Sequence, residues 1–222
     1  MLSIREISRS FSLRGLVLDK LSLDVEEGQT VSVMGPSGSG KTTLLNIIGL
    51  LDKPDGGRVY FRGNPVDTFS ENEAAIYRSA NIGFVFQDHL LLNYLTVNEN
   101  IMLPLIAAGY NDETARKREK ELKQLMEHAG ISALGNKYPY QISGGEAQRV
   151  ALIRALANKP SIILADEPTG SLDAANAELL GNLLIAINKE TGTSIITATH
   201  SPELAGKMSV KLFLKQGKLF KS

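Results

Sequence analysis

Between a β-branched run at residues 30–34 and an apolar helical stretch at 43–51 stands Gly35-Pro36-Ser37-Gly38-Ser39-Gly40-Lys41-Thr42. This segment fits the pattern G-x-x-x-x-G-K-[ST] at every fixed position, with a strand before it and a helix behind. No other stretch restricts the fold as much, because such a strand–loop–helix unit belongs to an α/β layer. Glycines let the backbone curl until several N–H groups face one point, and the helix N-terminus adds a dipole of the same sense. The dipole is worth roughly 0.3–2 kcal/mol, and a hydrogen bond to a charged phosphate about 1.5–3 kcal/mol, so the amide cradle dominates. In this pattern Lys41 reaches the β- and γ-phosphates of a nucleotide, and the Thr42 hydroxyl ligates Mg²⁺. A glycine-rich turn that binds nothing needs no such register of strand, loop and helix.

At 222 residues the chain suits one sizeable domain, or a core with small attached lobes, and its 43% hydrophobic content can fill that core. Lys+Arg and Asp+Glu both number 24, so there is no basic excess and no nucleic-acid partner is expected. The lack of cysteine excludes disulfides and thiolate metal sites and fits a reducing compartment. No apolar run approaches the ~18 residues that cross a bilayer, and Met1-Leu2-Ser3-Ile4-Arg5-Glu6 is strand-like and charged rather than a signal peptide. The expectation is a soluble, cytoplasmic protein whose membrane role runs through a partner.

Leu2, Ile4 and Ile7 open an alternating stretch, and Leu21, Leu23 and Val25 repeat it. A further short strand follows the Asp55-Gly56-Gly57 turn, and together these predict an antiparallel sheet beside the loop strand. Ile82-Gly83-Phe84-Val85-Phe86 reads as a buried strand ending on Gln87. From 89 to 159 the period becomes helical. Thr96-Val97-Asn98-Glu99 has the form of a capping box, and Pro104 is set to kink the helix it opens. A helix over 112–129 turns Ala115, Leu122, Leu125, Met126 and Ala129 to one side, so its charged run, 116–121, reads as a solvated face. A helix over 143–158 follows. Then a strand at 161–165, a helix at 174–189, a strand at 193–198 and a hairpin turning at Gln216-Gly217 complete an α/β core with a mainly parallel sheet.

Two more stretches carry chemistry. The apolar strand ending Asp166-Glu167 delivers two carboxylates to the sheet edge where the phosphate loop lies. Asp166 is then placed to hold Mg²⁺ and Glu167 to polarise an attacking water, although a strand-end acid can also simply cap the next helix. Ser143-Gly144-Gly145-Glu146 has capping-box spacing, and its exposed amides at a helix N-terminus could equally make a second phosphate site. The residues alone leave both open.

The succession of phosphate loop, Gln87, Ile142-Ser143-Gly144-Gly145-Glu146-Ala147-Gln148-Arg149, Asp166-Glu167, Ser171-Leu172-Asp173 and His200 resembles the nucleotide-binding subunit of an ATP-binding-cassette (ABC) transporter. The resemblance covers essentially the whole chain. It departs from the commonest signature in having Ile142 for leucine and Glu146 for glutamine. It implies a P-loop NTPase fold: a RecA-like core, an antiparallel β-subdomain and a helical subdomain at about 89–159, all in a single ATP-binding domain spanning 1–222. It also implies two copies closing head to tail over two ATP molecules, so that one chain's loop meets the other's Ser143, Gly144, Gly145 and Glu146. By that resemblance the nucleotide is held by residues 35–42 with Thr43, and by Phe11, which matches the aromatic that stacks on adenine but could as well be a core residue. Gln87 senses Mg²⁺ and the attacking water and relays to the membrane subunit. Asp173 communicates across the dimer, and His200 contacts the γ-phosphate and orients the Glu167 site. Asn46 to Pro54 and Gly83 to Leu92 are similar to the lipoprotein-releasing and macrolide-exporter branch, while the loop between Phe11 and Val17 is shorter than is typical there.

The expected activity is therefore ATP hydrolysis driving a separate integral membrane subunit, for lipoprotein release or export of a hydrophobic or peptide cargo, from the inner face of the membrane. A regulatory module acting on a cell-envelope partner without transport is the alternative. A non-transport ABC ATPase would carry a long coiled-coil insertion or two cassettes, and neither is present in the sequence. After Gln87, the apolar run His89-Leu90-Leu91-Leu92-Asn93-Tyr94-Leu95 is expected either to pack the helical subdomain or to line a groove for the membrane subunit.

Overall fold

The computed structural model describes residues 1–221, the side chain of Asp112 excepted, so that Ser222 lies outside the described residues. Strands β1 (Leu2–Phe11) and β2 (Gly15–Val25) form a long hairpin, and β3 (Thr30–Met34) leads through the glycine-rich loop into α1 (Lys41–Ile48). Next come β4 (Gly56–Phe61), the short β5 (Asn64–Pro65), α2 (Glu71–Asn81) and β6 (Ile82–Val85). Helices α3 (Val97–Ala107), α4 (Asp112–His128) and α5 (Gly144–Ala155) follow in succession. The chain then runs through β7 (Ile162–Asp166), α6 (Ala174–Thr191), β8 (Ser194–Ala198), α7 (Pro202–Gly206), β9 (Val210–Lys215) and β10 (Lys218–Lys221).

Two sheets result. A six-stranded sheet has the order β10-β9-β3-β8-β7-β6, parallel throughout except for its edge strand β10. Its inner strands are covered on both faces, which is why β3, β7 and β8 read as unbroken apolar or small runs. A four-stranded antiparallel sheet, β2-β1-β4-β5, lies beside it. The apolar spacing in β1 changes from two residues (Leu2, Ile4) to three (Ile7), and the structure supplies the cause. Glu6 takes φ 48°, and the pairing with β2 shifts register between Ile4 and Ile7, so a bulge returns Ile7 to the buried face.

One buried cluster joins β1–β4 and α1 to the central sheet, and another joins α3, α4, α5 and α6 to its opposite side. Several helix ends follow the sequence reading, and others correct it. Capping boxes form at Thr96/Glu99 and Ser143/Glu146. A third, Ser70/Glu73, opens α2, a helix that apolar periodicity does not announce because only Ala74 and Tyr77 are buried. Helix α1 starts at Lys41, two residues before the expected start, because Gly40 already serves as its N-cap in a left-handed conformation. It ends at Gly49, well short of Pro54; a side chain at Gly49 would collide with the Phe84 ring, whose Cζ lies 2.3 Å from an ideal Cβ.

The charged run of α4 is not uniformly solvated. Arg118 is 8% exposed, donates to the carbonyls of Ala157 (2.9 Å) and Leu156 (2.8 Å), and pairs with Glu121. Glu121 in turn takes Lys159. The guanidinium thus caps carbonyls at the end of α5, sharing that of Leu156 with the Lys159 N–H. That contact depends on how two helices meet, and helical periodicity carries no record of it.

Candidate active site

The carboxyl ends of four adjacent strands meet at one edge of the six-stranded sheet. Val33 pairs with Ala198, Ala198 with Asp166, and Ala165 with Val85. This register brings the loop after β3, Asp166-Glu167 after β7, Gln87 after β6 and His200 after β8 to one place, the position at which α/β sheets hold ligands. A cleft of about 560 Å³ lies there, lined by Ser37, Gly38, Gly40, Lys41, Thr42, Thr43, Gln87, Asp166, Glu167 and His200, together with Arg14 and Val17.

The loop is tight by necessity. A side chain at Gly35 would stand 2.5 Å from the Leu214 carbonyl, and one at Gly40, 2.8 Å from Val17 Cγ1. Lys41 is 8% exposed; its Nζ donates to the carbonyls of Gly35 (2.9 Å) and Pro36 (3.3 Å) and lies 3.5 Å from Glu167 Oε1. Ser39 completes the turn through its N–H to the Pro36 carbonyl. Glu167 follows β7 with φ 46°, a left-handed conformation unusual for a residue with a side chain. Its N–H is fixed by the Ala198 carbonyl at 2.8 Å. Its Oε2 accepts from the backbone N–H of His200 (3.1 Å) and lies 2.8 Å from His200 Nδ1. Burial pushes the Asp166 carboxyl above its ordinary pKa, a shift the Thr42 hydroxyl opposes by hydrogen bonding, and Asp166 Oδ1 is buried with no partner.

The signature residues stand elsewhere. Ser143 Oγ accepts from the Glu146 N–H (3.3 Å), and Glu146 Oε2 accepts from the Ser143 N–H (2.7 Å) and hydroxyl (2.8 Å). Those bonds hold the Glu146 carboxyl below its usual range. Ser143 and Gly144 are exposed, and none of residues 143–146 lines the cleft of its own chain. Asp173, also outside it, caps α6 by accepting from the Asn176 N–H at 2.9 Å. Helix α5 is stapled to both sides of Gln87, since Gln148 Nε2 donates to the Phe86 carbonyl (2.6 Å) and Arg154 to those of Leu90 (2.7 Å) and His89 (2.8 Å).

Phe11 does not line the cleft; the Arg9 guanidinium covers its ring at 4.8 Å, itself paired with Asp52 and Asp55. Arg14 and Val17 do line it, and no local pattern marks Arg14: the register of the β1–β2 hairpin carries its turn over Gly40. In the apolar run after Gln87, Leu91 is buried in the helical cluster, whereas Leu90 and Tyr94 are 57% and 74% exposed.

Residues 18–170 match the family model described as ABC transporter. The chain belongs to the ABC transporter family. Its ATP-binding cassette makes it an ATPase. It is 42% identical to the lipoprotein-releasing system ATP-binding protein LolD 1 of Rhodopirellula baltica, over 99% of this chain and 96% of the relative. It is also 42% identical to the LolD protein of Aquifex aeolicus, over 98% and 93%. Among solved structures it superposes on the ATP-binding cassette MJ0796, in a dimeric post-hydrolysis state bound to ADP and Pi. The TM-score is 0.87 at 39% identity, covering all of this chain and 98% of that one. Among the described residues, no helix is long and apolar enough to cross a membrane.

Proposed function

We propose that the chain is a single ATP-binding domain, with residues 89–159 forming an inserted helical lobe, that pairs head to tail with a second copy and drives a separate membrane subunit. The observation that carries this reading is a separation. Lys41, Thr42, Gln87, Asp166, Glu167 and His200 converge on one cleft, while the exposed N-terminus of α5 stands outside it. Two copies in opposed orientation supply each cleft with the other's Ser143, Gly144, Gly145 and Glu146. The dimeric state of the similar cassette supports this.

In this reading the amides of residues 35–42 and Thr43 cradle the phosphates of ATP, and Lys41 leaves its loop carbonyls to meet the β- and γ-phosphates. The residues fit Mg²⁺ without a dedicated cage. Among the described residues no cluster of three or more His, Cys, Asp or Glu can hold a metal, yet Asp166 keeps a buried, unpartnered oxygen beside Thr42. Mg²⁺ binds through one or two carboxylates together with waters and substrate phosphates, so Asp166, with Thr42 and Gln87 beside it, would suffice to hold it. When bound, it offsets the negative charge of the phosphates and favours the ionised Asp166. Glu167 takes the proton of the attacking water, and His200 fixes that carboxylate and faces the γ-phosphate. Asp173 contributes at the edge of the site toward the second copy, whereas Phe11, outside the cleft and covered by Arg9, is left without a part in holding the base.

The two LolD relatives favour lipoprotein release, or movement of a similarly hydrophobic or peptide cargo, with the ATPase peripheral on the inner membrane face. The exposed Leu90, whose carbonyl Arg154 ties to α5, and the exposed Tyr94 are the proposed contact with the membrane subunit. Tyr94→Ser should leave melting temperature and ATPase activity near wild type while reducing co-purification with that subunit. Leu91→Ser should instead cost roughly 2–5 kcal/mol of stability, as deletion of a buried large side chain does. Equal loss of stability in both variants would remove Tyr94 from the contact.

Sharing of the sites is tested by Ser143→Arg, which puts bulk and charge at the start of α5. Turnover should fall roughly 10²-fold or more, as when a donor aimed at reacting oxygens is lost, while ATP binding by the variant's own loop persists. Mixed with Lys41→Ala chains, it can form at most one composite site with both halves intact. Normal turnover by Ser143→Arg homodimers would contradict the shared site.

A further inference from the structure

Asn176, in the first turn of α6, has none of the roles above, yet its side chain is committed on every side. Its Nδ2 donates to Asp173 Oδ2 at 2.7 Å, and its backbone N–H donates to Asp173 Oδ1 at 2.9 Å. Its Oδ1 accepts from Arg149 Nη1 at 3.2 Å. The same oxygen occupies the space that any side chain at Gly145 would need, 2.3 Å from an ideal Cβ there. Arg149 is half-buried and its Nε is buried without a partner, so the bond to Asn176 carries much of what holds that guanidinium. A continuous chain, Arg149–Asn176–Asp173, therefore joins the first turns of α5 to the N-cap of α6.

The geometry points to Asn176 as a positioning residue that locks the 143–146 turn and Asp173 into one rigid surface, and so sets how that surface meets the ATP bound by the second copy. This inference rests on the shared-site reading above. Replacing the side chain by the methyl group of alanine leaves Asp173 as the cap of α6 but cuts its tie to α5, and it leaves Arg149 with one partner fewer. The two helix N-termini are then free to shift against each other. Displacements of ~1 Å at a reacting centre can cost about 10²-fold in rate, so a small shift is enough to matter.

The test uses full-length chains carrying Glu167→Gln, which slows hydrolysis, alone and combined with N176A or N176D. Sedimentation with ATP and Mg²⁺ measures dimer formation. Titration of dilute monomer with ATP measures each chain's own loop, and a melting curve measures folding. We expect N176A to weaken ATP-driven dimerisation about tenfold or more, the scale of one hydrogen bond to a charged group. Own-loop affinity should be unchanged. N176D keeps the volume and the acceptor for Arg149 but sets two carboxylates against each other, so its deficit should match or exceed that of N176A. A packing role predicts the reverse, with N176D behaving like its parent, and that result overturns the inference. Dimerisation at the parent level in both variants, or loss of own-loop affinity and melting temperature in parallel with dimerisation, overturns it too. If the Glu167→Gln parent itself stays monomeric with ATP, the shared-site reading fails, and this inference fails with it.

Discussion

Lys41→Ala is expected to abolish productive ATP binding and turnover together while leaving the fold in place. Lys41 Nζ donates to the Gly35 and Pro36 carbonyls and approaches Glu167, all within the loop and cleft. Its loss nevertheless strips the cradle of its fixed cation, since Arg14, the other cation lining the cleft, sits in the turn of an exposed hairpin. Two charge-assisted contacts at about 1.5–3 kcal/mol each correspond to roughly 10²–10⁴ in affinity. Calorimetric titration with ATP and Mg²⁺, beside a melting curve, measures both consequences. An unchanged melting temperature with ATP binding lost is the expected pair. Near-normal affinity with normal turnover would move the phosphate site away from residues 35–42.

The parts of the molecule that were legible in the sequence are those in which the chemistry is contiguous. The phosphate loop lies in one segment, flanked by a strand that must be buried and a helix that starts where the glycines end. The Asp166-Glu167 pair was legible because an unbroken apolar run ends on it, and strands that end at one sheet edge deliver their last residues to one cleft. Contacts made by tertiary register were not legible. Arg14 reaches the cleft through the pairing of β1 with β2, Arg118 through the crossing of α4 and α5, and Asn176 through the approach of α5 to α6. Each lies in a stretch whose local pattern fits a solvated surface equally well. The bulge at Glu6 and the helix α2 are hidden in the sequence for a related reason: a single left-handed residue or a sparse buried face leaves little trace in periodicity. The run after Gln87 shows the limit of composition. Its leucines look alike in sequence, yet Leu91 enters the core and Leu90 does not.

Glu167→Gln should separate binding from chemistry. The amide keeps the shape of the side chain and an acceptor for the His200 N–H, but it cannot take a proton from water. Loss of a general base costs about 10²–10⁴ in rate. The phosphate loop is untouched, so ATP should bind as before and, left unhydrolysed, should hold two copies together. The left-handed backbone at Glu167 and its fixed N–H place this side chain independently of its charge, so the variant should fold normally. The most direct measurement is sedimentation of Glu167→Gln with ATP and Mg²⁺, with nucleotide quantified in the dimer peak. A dimer that retains two ATP molecules and dissociates when nucleotide is removed is the expected result; a monomer at saturating ATP would refute the shared site, and hydrolysis at the wild-type rate would refute the role of Glu167.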